Sequence, residues 1–201
     1  RFEGNVAVTM FGPRAYSGPT YVSGWSFNPF LPEFVNIMKK DPRYPYTVAD
    51  IDSLQKIGKA TYEGGYMNSG YFIEKFAPKT EYRSTGGGVP ELNWPNDYIE
   101  IRLADTYLME AEALVQGGGD LVRAGALLNA VRARVGLNPV PATLENIYLE
   151  RRLELASEGH RWYDLVRTGR APEVLKSRGF VAGKHEILPI PLSELTNTKL
   201  V

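Results

Sequence analysis

Glu150-Arg151-Arg152-Leu153-Glu154-Leu155-Ala156-Ser157-Glu158-Gly159-His160-Arg161-Trp162-Tyr163-Asp164-Leu165-Val166-Arg167 reads as two helices meeting at Gly159. Upstream, Leu144, Ile147, Tyr148 and Leu155 share one helical face. Arg151 lies on that face, four residues from both Ile147 and Leu155. A guanidinium does not lose its charge, so a buried Arg151 has to be paired. Glu154 and Glu158 stand three and seven residues on, at helical spacing. The second helix carries Trp162, Leu165 and Val166 on one stripe, with Arg161 and Asp164 three apart.

Acids at this density invite a catalytic reading. A glycosidase, however, needs two carboxyls opposed across a cleft, one of them protonated. Glu154 and Glu158 lie side by side on one helix, interleaved with arginines. The arrangement therefore reads as an ion-pair lattice that locks helices together. Glu150, Arg151, Glu154, Glu158, Arg161 and Asp164 are assigned to fold, and no catalytic residue is assigned.

The bulk properties exclude several classes. A chain of 201 residues can bury a sizeable core. Its 23 basic and 23 acidic residues cancel, so no nucleic-acid partner is implied. Without cysteine there is no disulfide, thiolate metal site or cysteine nucleophile. His160 and His185 alone make a poor metal set, and no cofactor is expected. The chain opens at Arg1 rather than Met, which reads as a processed or shortened chain.

Outward from the motif, the back half is helical in pattern. Asp97 and Glu100 have capping-box spacing, which predicts a helix from about 98 to Gln116. Gly117-Gly118-Gly119 ends it, and Asp120 caps the next helix, which ends at Gly136. Thr143 caps the helix that carries the motif. The two hairpins start too far apart for tight tetratricopeptide repeats of ~34 residues, but loosely repeated helical hairpins fit. A short helix starts at Ala171-Pro172, and Glu186–Pro191 reads as an extended strap.

The front half differs. Nine of the 12 tyrosines and two of the three tryptophans fall at or before residue 98, among glycine and proline turns. Phe2, Val6, Val8 and Met10 alternate as in a short strand. Pro32 to Lys40 is a helix with Phe34, Ile37 and Met38 as its stripe. A helical turn over Asp50–Ile57 and a strand over Tyr71–Phe76 follow. Aromatics on such turns are either plugs of a packed loop or stacking platforms, and on composition alone plugs are the commoner case. Nearly a hundred residues with so little regular structure, and helices with broad apolar faces, call for packing partners.

Several patches together resemble the C-terminal part of SusD/RagB-type proteins, surface lipoproteins of Bacteroidetes that capture glycans. They are Gly24-Trp25-Ser26-Phe27, Leu31-Pro32-Glu33-Phe34-Val35, Asp41-Pro42-Arg43-Tyr44, and Ile101-Arg102-Leu103-Ala104-Asp105 through Ala111-Glu112-Ala113. Glu150 to Arg167 and Leu188-Pro189-Ile190-Pro191 complete the set. The resemblance implies a mainly α fold: helical hairpins of a tetratricopeptide-like α-α superhelix, long aromatic-rich loops and a few short strands. It implies a loop-rich, ligand-facing segment 1–97 and a helical region 98–201, together one domain or part of one. Implied partners are a glycan, a SusC-like TonB-dependent transporter at the outer-membrane surface, and an N-terminal part of the same protein. A lipid anchor would belong to the precursor, and the family's usual tail is replaced by an end at Leu200-Val201.

A sugar is captured by an aromatic ring laid on its C–H face and by polar groups on its hydroxyls. With the resemblance, Tyr16, Tyr21, Trp25, Tyr66 and Trp94 become candidate rings, and Asn28, Asn68 and Asn96 candidate hydroxyl partners. A peptide-binding member of the family, a glycoside hydrolase and a bare helical scaffold are the alternatives.

Overall fold

The computed structural model describes residues 4–197. Two compact units divide at Glu158/Gly159. The fold is mainly helical, with a few short strands, as the hairpin pattern predicts.

The first unit opens with helix α1 (Ala7–Phe11) and strand β1 (Arg14–Ser17). The alternation of Val6, Val8 and Met10 predicts a strand, and the structure shows a helical turn instead. Val8 and Thr9 are its buried residues, so tertiary burial overrides the two-residue period. Phe2 lies outside the described residues.

Helix α2 (Pro32–Met38) buries Phe34, Val35 and Met38, with Pro32 in its first turn. The short helix α3 (Tyr44–Thr47) leads directly into strand β2 (Val48–Asp50). Asp50 then caps helix α4 (Ile51–Lys56) by accepting from the Ser53 amide. Strands β3 (Thr61–Glu63) and β4 (Tyr71–Ile73) complete two small antiparallel pairs, β1 with β3 and β2 with β4. In the second pair Val48 faces Ile73 and Asp50 faces Tyr71. The predicted strand over Tyr71–Phe76 is thus only its first half.

Helix α5 spans Leu103–Gln116, and its N-cap, Arg102, makes no side-chain cap. The predicted start at Asp97 is five residues too early. The backbone at Arg102 is extended, and its guanidinium reaches across to Glu154 and Glu158. Helix α6 (Leu121–Ala133) is capped by Asp120 and helix α7 (Leu144–Glu154) by Thr143, as the sequence predicts. Leu108 and Ala111 of α5 meet Leu128 and Val131 of α6, and Ile147 of α7 closes that core. A second cluster joins α2 to the end of α7 through Phe34, Met38, Leu153 and Ala156. A third packs Tyr16, Ile51 and Phe72 beneath the strands.

The second unit contains helix α8 (His160–Arg167), short helix α9 (Ala171–Val174) and helix α10 (Leu192–Asn197). Gly159 begins it at φ 85°, a left-handed turn that a side chain would strain. Asp164 and Leu165 are buried in α8, and Asp164 accepts from Arg167 at 2.7 Å. Trp162 packs against Phe180, and Phe180 against His185. The segment 188–191 has no regular structure, and Leu188 and Ile190 are exposed.

The charged motif is buried in the first unit. Glu150, Arg151, Glu154 and Glu158 all lie below a tenth exposed. Arg151 pairs with Asp105 of α5 at 2.7 Å, a partner 46 residues away. The glutamates take their cations from distant elements. Arg43 donates to Glu150 and Glu154 at 2.6 and 2.7 Å, and its other edge grips Asp41. Arg102 bridges Glu154 and Glu158, Lys75 reaches Glu158, Arg132 reaches Glu150, and Arg134 reaches Glu154. These ion pairs tie α7 and the turn after it to the front segment, to Arg102 before α5 and to α6.

Breaking one side of a buried pair strands its partner. Arg151→Ala leaves Asp105 buried without this cation and should cost roughly 3–5 kcal/mol, read as a lowered midpoint in urea. The acids also set a pH response. Burial alone would raise the Glu154 carboxyl, but hydrogen bonds from Arg102 and Arg43 outweigh it and hold it below the usual range. For Glu158 burial is likewise outweighed, by Arg102 and Lys75. Groups depressed in the folded state stabilise fully above their unfolded pKa of about 4.3, and that stability is lost as pH falls through the lower folded values. The melting temperature should therefore hold near neutrality and fall below about pH 4. Glu154→Gln should flatten that acid limb in thermal melts.

Candidate functional site

Two loops of the first unit present large side chains to solvent. The first runs over residues 24–28. Its backbone is pinned against the segment 9–13: Trp25 N donates to Thr9 O at 2.9 Å and Phe27 N to Met10 O at 2.8 Å. Ser26 N donates to Gly12 O at 2.8 Å, and Gly24 N to Pro13 O at 2.7 Å. Gly24 is required at this approach, because a Cβ there would sit 2.5 Å from Gly12 Cα. Arg14 adds a hydrogen bond from its amide to Ser26 Oγ at 2.7 Å. The result is a fixed platform on which Trp25, 40% exposed, meets Phe27 edge-on at 6.1 Å between ring centres.

The second loop runs over residues 64–68 and abuts the first. A Cβ on Gly65 would lie 2.8 Å from Ser26 Cβ, so this contact also depends on glycine. Tyr66 is 88% exposed and Met67 beside it is exposed. Asn68 ties the loop down: its Nδ2 donates to Tyr62 Oη at 3.0 Å and its Oδ1 accepts from the Gly70 amide. Tyr62 in turn donates to Asp52.

Ser26, Asn28 and Met67 all have positive φ, between 53° and 60°. Such conformations cost non-glycine residues of order 1–3 kcal/mol each and persist only where the surroundings enforce them. Three of them on two touching loops mark a surface whose shape is set before any ligand arrives.

The remaining candidates fall elsewhere. Trp94 is 1% exposed, and its Nε1 donates to Thr9 Oγ1 at 2.7 Å. Thr9 also supplies the carbonyl that holds Trp25, so Trp94 supports the loop from beneath and offers no face to solvent. Tyr16 is buried and meets Tyr21 edge-on at 5.5 Å. Tyr21 is half-buried and donates to Glu74 at 2.8 Å. Burial, reinforced by the Glu74 charge, pushes its phenol pKa far up, so it remains a hydrogen-bond donor. Asn28 and Asn68 are exposed on the two loops, whereas Asn96 is half-buried and its backbone carbonyl accepts from Asn5.

Of the sequence candidates, the structure thus gathers Trp25, Asn28, Tyr66 and Asn68 on neighbouring loops. Phe27 and Met67 join them and were not singled out by sequence. Phe27 sits in the quoted Gly-Trp-Ser-Phe patch, and Met67 follows Gly64-Gly65, so both had a local turn signal. Among the described residues no cluster of His, Asp or Glu could hold a metal ion.

Known proteins share this architecture. A laminarin-binding SusD-like protein is 53% identical over the whole chain, with a TM-score of 0.92, and the chain covers 44% of it. Surface glycan-binding protein A from Bacteroides thetaiotaomicron, solved with laminarihexaose, is 31% identical with a TM-score of 0.88. That match covers 98% of this chain and 45% of the other. SusD-like protein P25 of Formosa agariphila is 36% identical over 123 residues, which is 53% of this chain and 23% of the relative. The chain therefore spans less than half the length of these proteins. The SusD family model matches residues 46–186, a span that takes in Tyr66, Lys75, Arg102 and the whole run from Glu150 to Arg167, and the chain belongs to the SusD family.

Proposed function

We propose that this chain forms part of a bacterial cell-surface protein that captures a glycan and passes it, uncleaved, to a TonB-dependent outer-membrane transporter. The observation that carries the reading is the pair of touching loops that holds Trp25, Phe27 and Tyr66 in the open on an enforced backbone. Exposed rings on a rigid support are what a pyranose C–H face requires. They bind at low entropic cost, because the loop is ordered beforehand. Asn28 and Asn68 flank the rings as hydroxyl partners.

Two of the similar proteins are described as binding laminarin or holding laminarihexaose, which supports a β-glucan as cargo. The loop-rich segment 1–97 faces the glycan in this reading, and the helices α5 to α7 of the same unit carry it. Turnover has no support in the geometry, because Glu150, Glu154 and Glu158 are held in ion pairs away from these loops' residues. Trp94 and Tyr16 serve as struts, and Tyr21 stands at most at the margin.

In titration calorimetry with laminarihexaose, Trp25→Ala should weaken binding by roughly tenfold or more, the usual cost of losing a central aromatic anchor. The far-ultraviolet circular dichroism should be unchanged. Tyr66→Ala should weaken binding as well, and Trp94→Phe should lower the melting temperature. Unchanged affinity in both Trp25→Ala and Tyr66→Ala would remove these loops from recognition.

A further inference from the structure

A cavity of about 430 Å³ opens beside the ion-pair lattice, within the roughly 300–1,000 Å³ range of small-molecule sites. Thr47, Lys75, Arg102 and Arg134 line it, together with Tyr46, Phe76 and the paired carboxylates of Glu154 and Glu158. None of its lining residues belongs to the loops 24–28 and 64–68.

Three features of this cavity are unmet by the protein itself. The first is charge. Five cations, Arg43, Lys75, Arg102, Arg132 and Arg134, meet four carboxylates, Asp41, Glu150, Glu154 and Glu158, in these ion pairs of the described residues. One positive charge is in excess. It falls on the accessible side, because the Arg134 side chain is 60% exposed while its Glu154 partner is 1% exposed.

The second is donor capacity. Arg134 uses one Nη2 bond to Glu154, and its Nε and Nη1 donors find no acceptor among the described residues. The third is the hydroxyl of Thr47. It is fully buried, and its Oγ1 has no hydrogen-bond partner. A buried hydroxyl left unmatched is costly and points to a missing group.

A ligand that answers all three carries a carboxylate, a hydroxyl near it and an apolar face. The carboxylate takes the guanidinium fork of Arg134 and cancels the surplus charge. The C–H face lies on the exposed Tyr46 ring, and the hydroxyl pairs with Thr47 once that buried side chain turns toward the cavity. A small inorganic anion answers only the charge, and a neutral sugar leaves it standing. We propose that this cavity is a second ligand site, one that takes a uronate, the carboxylate form of a hexose. The choice of a sugar rests on the glycan-capture reading above; the choice of a carboxylate does not.

Titration calorimetry on the 201-residue chain tests it with four probes: methyl β-glucuronide, methyl β-glucoside, acetate and laminarihexaose. The glucuronide should bind, with the glucoside and acetate at least roughly tenfold weaker, as expected for loss of a charge-assisted hydrogen bond. Arg134→Gln removes one of three guanidiniums from Glu154 but leaves Arg43 and Arg102 on it; it should weaken the glucuronide by a similar roughly tenfold factor, with a thermal melt of the same variant reading any loss of stability separately. Thr47→Val should also weaken it. Laminarihexaose affinity should be the same in Arg134→Gln as in the parent. No heat with the glucuronide, acetate binding equally well, or an Arg134→Gln variant with full glucuronide affinity would each overturn the site. Glucuronide binding that survives Trp25→Ala separates this site from the loops. Loss of laminarihexaose binding alone would strike the glycan-capture reading and leave the carboxylate site standing.

Discussion

The carboxylate of Glu154 is the point on which the first unit turns. It is almost wholly buried, and three guanidiniums, from Arg43, Arg102 and Arg134, converge on its two oxygens. An isolated carboxylate could not remain ionised there, because desolvation would be far too costly. The three arginines come from a turn before α3, the residue preceding α5 and the end of α6. All three elements have to be in place for them to reach the same atom pair. The net energy of such a lattice is modest, but its geometric demand is severe. It fixes a loop-rich front segment, which has little regular structure of its own, onto the helical back.

That attachment explains how a segment of turns can present a shaped surface. Thr9 receives Trp94 Nε1 on its hydroxyl and the Trp25 amide on its carbonyl. A buried indole therefore supports an exposed one through a single residue. Gly12, Gly24 and Gly65 permit backbone approaches that no side chain would allow. Glycine and proline in the front half thus serve close packing rather than looseness.

Local signals in the sequence carried most of the helical half. Asp120, Thr143 and Asp50 cap as their residue types suggest, and α8 starts after Gly159 as read, although α7 already ends at Glu154 and a five-residue turn, 155–159, separates the two. The burial of Arg151 followed from its place on an apolar face. Its partner did not, because Asp105 lies 46 residues away and nothing local ties the two. The false helix start at Asp97 has the same origin: a good capping box yields to a distant demand, the reach of Arg102 to Glu154 and Glu158. The aromatics were the least legible. Trp25 and Trp94 stand in similar turn-rich surroundings, and what separates them is whether the indole N–H finds a buried acceptor. For Trp94 that acceptor is 85 residues distant.

The loops that carry Trp25 and Tyr66 contain none of the lattice residues, and the lattice contains none of theirs. On the proposed reading of the loops, folding and cargo choice are written in separate letters of the chain. A lineage can trade one ring or amide for another at the tips, and so acquire a taste for a different polymer, without reopening the question of whether the molecule stands.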